Sequence, residues 1–377
     1  MGRLGESRLG VIARNPRSIL VVMMSAVGDA VQVLPVVNAL KRALPTCRIS
    51  WLIQPGAYAL VREHPEVDDF ILFHRGERGR GATSLARGAE ALRTTAAALR
   101  ESARNQPGGA FDLLLDLQVY FKAGVLTHLA PAQMKLGFDW RRTRDLNWLF
   151  TTHRIPPLPH GFAHTQDQYL EFVRYLGVNP EPVRYGLTLT GDEVEAQRTF
   201  FRILGPTCAM VVASSSPTKD WTPEGYARVA EGVTNELGLQ PILVGGDSPR
   251  EKTMALRIKE LSQSPIIDAL GDGLRRLLWL LAGSRVVVSP DSGPLHMARA
   301  MEVPVVGLYG TTNPKRSGPY RMFEDLVVDG YGRGLGEDYP ITPRRRKGGM
   351  DGVTPDEVLN KVALALRKYG EGTQRGE

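Results

Sequence analysis

Residues that could bind phosphate follow an apolar run in the second half of the chain. Asp291, Ser292, Gly293 and His296 stand between a segment that predicts a strand (RVVVS) and one that predicts a helix. The first amides of a helix are unpaired and its dipole attracts anions. Ser292 and Gly293 are small enough for a diphosphate to approach, and His296 could donate to it. The alternative, equally open, is that Asp291 or Ser292 only caps the helix and His296 packs beneath it.

A second loop of this kind, ASSSPTKDW, follows the predicted strand Cys208–Ala213. Ser214 and Ser215 offer hydroxyl groups, and Lys219 offers a point charge for phosphate. Taken alone, the loop could be a solvated serine-rich turn. Two such loops at strand ends of one sheet favour a shared diphosphate site, because ligands bind at the carboxyl ends of parallel strands.

A third strand-end loop has the sequence GGDSPRE. Its glycines permit a close backbone approach, and Glu251 could bind ribose hydroxyls, as acidic residues do in dinucleotide folds. The alternative is a simple turn in which Glu251 supplies a negative charge to the first turn of a helix. The residues alone leave both interpretations open.

The first half of the chain has its own strand-end loop, SAVGD, which contains Gly28 and Asp29. Asp29 could deprotonate a substrate hydroxyl. On the residue chemistry alone, a helix-capping role for Asp29 is the better interpretation. The glycine spacing is not that of a dinucleotide fingerprint, and there is no P-loop lysine motif.

The elements that must position these loops alternate between strands and helices. Continuous apolar runs such as SILVVMM and FDLLLDL predict strands buried on both faces, and therefore parallel sheets. The pattern stops at a proline-rich linker (177–187) and then restarts. We therefore predict an α/β protein with two doubly wound domains, 1–185 and 186–350. The terminal segment 351–377 predicts a final helix that packs back on the N-terminal domain.

Composition narrows the class of protein. The chain has 377 residues and a formal net charge of +7, with a pI of about 9.4. This charge favours an anionic partner, or else reflects an arginine-rich proteome. Interleaved basic and aromatic nucleic-acid motifs are not evident, so no nucleic-acid partner is predicted. Two distant cysteines and short apolar runs indicate a cytoplasmic protein without disulfides, structural zinc or a signal peptide.

Several segments together resemble glycosyltransferase family 9, the heptosyltransferases. SAVGDAVQVLPVVNALKRALP resembles the N-terminal signature of the family, and SPDSGPLHMARAMEVPVVGLYGTTNP resembles its donor-site signature. FDLLLDLQ with the nearby Lys122 resembles an N-domain segment, and SSSPTKDWTPEGYARVA resembles the diphosphate loop. The resemblance covers roughly residues 18–368. The sequence departs from the family pattern at Ser292, commonly threonine, and at Val119, usually glycine, and it lacks a late cysteine.

The resemblance implies a GT-B fold, in which two Rossmann-like domains face a central cleft. It also implies an inverting, metal-independent transfer from ADP-heptose to the inner core of lipopolysaccharide, with no cofactor. It assigns Asp29 as the catalytic base and the second-half loops as the donor site: Ser214, Ser215, Lys219, Ser292, Gly293 and His296 for the diphosphate, and Asp291 and Glu251 for the nucleotide or sugar. The residues expected at the acceptor are Gly28, Gln118, Lys122, Arg78 and Arg80.

Basic residues of the first half could hold anionic groups of a lipid-linked acceptor, or could be solvated surface charges. They are Arg75, Arg78, Arg80, Lys122, Arg141, Arg142 and Arg144. Such an acceptor would bring the protein into peripheral contact with the inner face of the cytoplasmic membrane. The alternatives are a GT-B enzyme that uses another nucleotide-sugar or a protein acceptor, and a nucleotide-binding relative without catalysis.

Overall fold

The computed structural model describes residues 15–75, 82–158 and 161–370. Its contacts divide the chain into two units. The first unit comprises Met1–Gly161 and Gln166–Gly186, and the second comprises Phe162–Thr165 and Leu187–Glu377.

The first unit is a six-stranded parallel sheet with helices between its strands. The strands are β1 (Ser18–Val22), β2 (Arg48–Ile53), β3 (Asp69–Leu72), β4 (Phe111–Asp116), β5 (Ala132–Phe138) and β6 (His153–Ile155). The helices are α1 (Val27–Ala43), α2 (Pro55–Val61), α3 (Ala82–Arg104), α4 (Phe121–Leu129) and α5 (Thr165–Tyr175). The strand order is β3-β2-β1-β4-β5-β6.

Burial explains why the central strands of this sheet are apolar runs. All five residues of β1 and all six of β4 are buried. Leu20, Val22 and Leu114 join a core cluster that also includes Leu99 of α3 and Leu126 of α4. A parallel strand covered by helices on both faces has no solvent side, so its sequence does not alternate between apolar and polar residues.

The second unit repeats this architecture. Its strands are β7 (Thr207–Val211), β8 (Gln240–Val244), β9 (Ile267–Asp268), β10 (Val286–Pro290), β11 (Val305–Tyr309) and β12 (Val328–Asp329). Its helices are α6 (Gly191–Leu204), α7 (Pro223–Asn235), α8 (Pro249–Leu261), α9 (Gly273–Gly283), α10 (Gly293–Ala300), α11 (Pro314–Ser317) and α12 (Pro355–Tyr369). The strand order is β12-β11-β10-β7-β8-β9, again parallel throughout.

Both sheets reverse their strand order at an equivalent place. The reversal lies between β1 and β4 in the first sheet and between β7 and β10 in the second. The loops beyond the carboxyl ends of such a strand pair form the crevice where open α/β sheets bind ligands. The predicted α/β class with two doubly wound parallel sheets is confirmed.

The structure corrects the prediction for the last helix. It was expected to pack on the N-terminal domain, but α12 packs against α7, β10 and β11 of the second unit. Its apolar stripe of Val358, Val362 and Ala365 is buried there. Lys368 Nζ, near its end, lies 2.8 Å from Asp325 Oδ2 in the same unit.

Four further elements were not predicted: α6, the four-residue helix α11, β6 and β12. Helix α6 has a complete capping box, in which Thr190 and Glu193 bond each other's backbone amides, yet none of its residues is buried. The capping-box pattern of Thr190 and Glu193 was the available signal in the sequence. Strands β6 and β12 have only three and two residues, too few for a periodic signal. No helix among the described residues is both long and apolar enough to cross a bilayer.

Gly310 gives a test of the second sheet, because it directly follows β11 where the chain passes closely beside Gly349. A Cβ at Gly310 would lie 2.2 Å from the backbone nitrogen of Met350. We expect Gly310→Ala to lower the free energy of unfolding by about 1–3 kcal/mol, since backbone cannot move aside as a flexible side chain does. Denaturant unfolding measures this. The control is Gly56→Ala on α2, where a Cβ meets nothing within 4 Å; equal losses in both variants would contradict the account.

Candidate functional site

The loops after β7 and β10 meet through an ion pair. Lys219 Nζ lies 2.8 Å from Asp291 Oδ2 and donates a second hydrogen bond to the Asp291 carbonyl oxygen at 3.1 Å. An ammonium group has three donors. Lys219 has no other acceptor among the described residues, so its third N–H remains for a ligand. The predicted neighbourhood of Lys219 and Asp291 is therefore present in the structure.

Asp291 is held in its charged form. Burial alone would raise its pKa, but Lys219 and, to a lesser degree, His296 and two hydrogen bonds outweigh burial, and the pKa lies below its usual value of 3.8. One of these bonds comes from Thr312, whose Oγ1 lies 2.6 Å from Asp291 Oδ2. The carboxylate therefore orients Lys219 and compensates much of its positive charge.

Helix α10 begins directly after Asp291. Ser292 is its N-cap residue, and its side chain makes no capping bond to the helix; instead Ser292 Oγ lies 3.0 Å from Ser289 Oγ. Pro294 has no N–H, so the amides of Gly293 and Leu295 are the helix-start donors. Their dipoles add positive charge at the carboxyl end of β10. This arrangement suits a phosphate group beside Lys219.

His296 lies within the first turn and a half of α10, and its side chain is buried. Burial is the main cause that lowers its pKa to about 4, and His164 and Lys219 act in the same direction, whereas Asp291 opposes them. At neutral pH the ring is uncharged and carries one N–H. His296 can thus donate a hydrogen bond but contributes no net charge.

An acidic residue that the sequence analysis missed organises the serine loop. Asp220 Oδ1 accepts hydrogen bonds from Ser214 N at 2.7 Å and Ser214 Oγ at 3.1 Å. Asp220 Oδ2 pairs with Arg250, which also bonds the Ser214 carbonyl oxygen. The Ser214 hydroxyl is thus committed to its own loop, while Ser215 is exposed. A carboxylate next to the lysine in a strand-end loop was the available signal.

Glu251 occupies the helix-start role that the sequence left open. Its Oε1 accepts from Gly246 N at 2.7 Å, and its Oε2 accepts from Ser248 N and Oγ in the capping box of α8. Two carboxylate oxygens offer about four lone-pair sites. Three of these sites on Glu251 already accept hydrogen bonds, so about one site remains for a ribose hydroxyl.

In the first unit, Asp29 lies in the first turn of α1, beyond the carboxyl end of β1. Its Oδ2 accepts from Ala26 N at 3.0 Å, and its Oδ1 accepts from the Tyr169 hydroxyl at 3.1 Å. Asp29 therefore does cap its helix, as the residue chemistry predicted. Gly28 precedes it in the same turn. Asp29 is only partly buried, so it keeps some contact with solvent.

Gln118 positions the Asp29 loop and is itself buried. Its Nε2 donates to the Ser25 carbonyl oxygen at 2.8 Å. Its backbone amide donates to Asp116 Oδ1 at 3.1 Å, and the other Asp116 oxygen accepts from Thr127 at 2.9 Å and Asn147 at 3.0 Å. Burial raises the pKa of Asp116 to about 6, although these hydrogen bonds lower it. The sequence analysis missed Asp116, whose signal is one acidic residue at the end of an apolar strand.

The predicted basic residues of the first unit divide into different roles. Arg142 is buried between Asp139 Oδ2 at 2.6 Å and Glu171 Oε2 at 2.5 Å, so it stabilises the fold and is not available to an acceptor. Lys122 is exposed on the first turn of α4, with Nζ 5.8 Å from the centre of the Phe73 ring. Arg78 and Arg80 lie outside the described residues.

The described part of the chain contains no group of three or more histidine, cysteine, aspartate or glutamate side chains that could hold a metal ion.

The profile of glycosyltransferase family 9 (heptosyltransferase) matches residues 98–329. This segment contains the loops of Lys219 and Asp291 and begins after Asp29. The lipopolysaccharide core heptosyltransferase OpsX of Haemophilus influenzae is 29% identical over 315 residues, which are 83% of this chain and 84% of that protein.

Solved structures agree with the fold. A glycosyl transferase family 9 structure from Veillonella parvula has a TM-score of 0.77 and 21% identity, covering 94% of this chain and 99% of that one. The E. coli heptosyltransferase WaaC with ADP has a TM-score of 0.67 and 21% identity, covering 92% and 99%. At these identities the likeness establishes the shared architecture.

The ion pair between Lys219 and Asp291 predicts how the free energy of unfolding depends on pH. The folded-state pKa of Asp291 lies below its usual value, so its stabilising effect is present above about pH 4 and is lost as the pH falls through the folded pKa. We expect Asp291→Asn to lower the free energy of unfolding by about 1–3 kcal/mol at pH 7, less than for a fully enclosed pair, because Lys219 keeps some contact with solvent. The difference from wild type should shrink toward pH 3, as denaturant unfolding at each pH can measure. The exposed Asp247→Asn is the control, and a difference that grew on acidification would refute the assignment.

Proposed function

Because the chain belongs to glycosyltransferase family 9, the heptosyltransferase family, we propose that it transfers a heptose from ADP-heptose to the inner core of lipopolysaccharide. The observation that carries the proposal is the joint position of Lys219 and the start of α10 beyond the strand reversal of the second sheet. The relative from Haemophilus influenzae is described as a lipopolysaccharide core heptosyltransferase, and one similar structure contains ADP.

The donor diphosphate binds between the two loops in this proposal. The third N–H of Lys219 bonds a phosphate oxygen, and the amides of Gly293 and Leu295 bond another. Ser215, Ser292 and His296 add neutral donors around them. Asp291 keeps Lys219 oriented, and Glu251, which already caps α8, lies near the nucleotide.

The reaction forms one bond and breaks one. An acceptor hydroxyl oxygen attacks the anomeric carbon of the heptose, the bond from that carbon to the diphosphate oxygen breaks, and ADP leaves. Asp29 takes the hydroxyl proton. Negative charge grows on the leaving phosphate, and Lys219 and the helix amides stabilise it without a metal ion. Attack from the face opposite the leaving group inverts the anomeric configuration.

The acceptor binds to the first unit beside Asp29 in this proposal. Gly28 borders the same turn, Lys122 offers an exposed charge at the carboxyl edge of the sheet, and Arg78 and Arg80 follow β3 in the chain. Gln118 acts as a positioning residue, because its side-chain amide already holds the Ser25 carbonyl oxygen. An anionic lipid-linked glycan fits these cations, and the protein would then work at the inner face of the cytoplasmic membrane. Nucleic acid is not a proposed partner.

Lys219 gives the first test. We expect Lys219→Ala to weaken ADP binding about 10- to 100-fold, because a hydrogen bond to a charged group is lost. Titration calorimetry with ADP and with UDP, in the presence of a chelator, measures this.

Lys252→Ala removes an exposed lysine of α8 and is the matched control, expected to bind ADP as the wild type does. Equal ADP affinity in wild type and Lys219→Ala would contradict the donor site. A preference for UDP would leave a transferase with another donor sugar, and absence of binding to either nucleotide would favour a relative without catalysis.

Asp29 gives the second test. We expect Asp29→Asn to lower kcat about 10²- to 10⁴-fold, the usual contribution of a general base, with unchanged ADP affinity. The asparagine side chain can still accept the Ala26 amide bond, which preserves the helix cap. Tyr169→Phe removes the bond to Asp29 Oδ1 but leaves the carboxylate in place, and should affect kcat far less. Wild-type turnover by Asp29→Asn would exclude Asp29 as the base.

A further inference from the structure

The first unit carries a concentration of exposed apolar side chains. Five of the ten large apolar residues that the described chain exposes fall within residues 120–149, and they include Trp140 at 64% and Leu146 at 56%. We define the aromatic–basic face by these five residues and two neighbouring arginines: Tyr120, Phe121, Trp140, Leu146, Leu149, Arg141 and Arg144. A cluster of this kind on a surface marks a site of interaction.

Two connections build the aromatic–basic face, and they are bonded to each other. One follows β4 and the other follows β5, so both begin at the carboxyl edge of the first sheet, as does the Asp29 loop after β1. Arg144 N donates to the Val119 carbonyl oxygen at 2.6 Å, and Asn147 Nδ2 donates to the Tyr120 carbonyl oxygen at 3.2 Å. Because Asn147 also bonds the buried Asp116, the face is anchored to the end of β4.

The face combines its apolar side chains with cations. The Arg141 guanidinium lies 5.2 Å from the centre of the Trp140 ring, and that of Arg144 lies 5.9 Å from the Tyr120 ring. Neither arginine forms an ion pair with a carboxylate of the described residues, although Asp145 directly follows Arg144 in the sequence. Aromatic rings with adjacent arginines are typical of the polar–apolar boundary of a membrane.

The backbone holds an apolar side chain outward at an energetic cost. Asp145 and Leu146 both have positive φ, 53° and 62°, a region that residues other than glycine rarely adopt. Leu146 is nevertheless exposed at this turn. Exposure of the leucine side chain to water is unfavourable, and this cost is relieved if the leucine enters an apolar phase.

We propose that the aromatic–basic face docks onto a bilayer of anionic phospholipid, with Trp140, Leu146 and Leu149 in the interface and Arg141 and Arg144 against the headgroups. The choice of a bilayer rests on the proposed function, because a lipid-linked acceptor is presented at a membrane and the face shares its sheet edge with Asp29. Charge complementarity favours lipid over protein, since within the part of the chain that the structure describes the two arginines form no ion pair, and they are interleaved with the apolar side chains in the sequence.

Vesicle sedimentation tests the proposal, with vesicles that contain neither acceptor nor donor. We expect the wild type to bind vesicles of phosphatidylglycerol and phosphatidylcholine more tightly than phosphatidylcholine alone, and less tightly as salt is raised. Arg141→Gln with Arg144→Gln should weaken binding about 25-fold, since each basic residue near such a surface contributes about fivefold. Trp140→Ser with Leu146→Ser should weaken it at least about tenfold.

Matched controls come from α6 of the second unit. Arg198→Gln with Arg202→Gln removes two exposed charges, and Ile203→Ser removes an exposed apolar side chain; neither should change vesicle binding. Denaturant unfolding of each variant confirms that both units are folded. Absence of wild-type binding to anionic vesicles, or equal loss in the controls, would overturn the proposal. The proposal would also be overturned if the wild type formed a dimer in solution and the variants of the aromatic–basic face were monomeric. If only the docking proposal failed, the wild type and all variants would still transfer heptose to an acceptor dispersed in detergent.

Discussion

Lys219 and Asp291 are 72 residues apart in the chain, and their contact exists because β7 and β10 are neighbours in the second sheet. Most of the candidate donor site depends on this pair. It places an ammonium group beside the start of α10, and it keeps that group compensated by a carboxylate when no anion is bound. Thr312, from the loop after β11, also bonds Asp291, so the loops after three strands meet at this carboxylate. In the proposed function, phosphate recognition therefore depends on the order of the strands in the sheet rather than on one loop.

In the first unit, a buried carboxylate holds the loops that follow neighbouring strands. Asp116 at the end of β4 bonds Gln118, Thr127 and Asn147, and Gln118 in turn holds the loop of Asp29. A buried carboxylate is tolerated only when its oxygens are bonded. The network therefore fixes the loops that follow β1, β4 and β5 relative to one another. Asp29 and the aromatic–basic face both depend on it.

The sequence predicted the two parallel sheets well, because strands such as SILVV and FDLLLD are buried on both faces and leave a continuous apolar signal. It also predicted that the loops of Lys219 and Asp291 would meet. It did not predict Asp220, Arg250 or Asp116, because their partners are distant in sequence or belong to other elements. The predicted packing partner of α12 was wrong for the same reason. The apolar stripe of this helix shows that it packs against the protein, but not against which unit.

Product analysis tests the central claim most directly. The purified protein is incubated with equal amounts of ADP-heptose and a UDP-linked hexose, together with a lipopolysaccharide inner-core acceptor that lacks heptose. The account predicts one product, heavier than the acceptor by a single heptose, with the anomeric configuration inverted relative to the donor. A hexose product, retention of configuration, or an unmodified acceptor in the presence of folded, ADP-binding protein would contradict it.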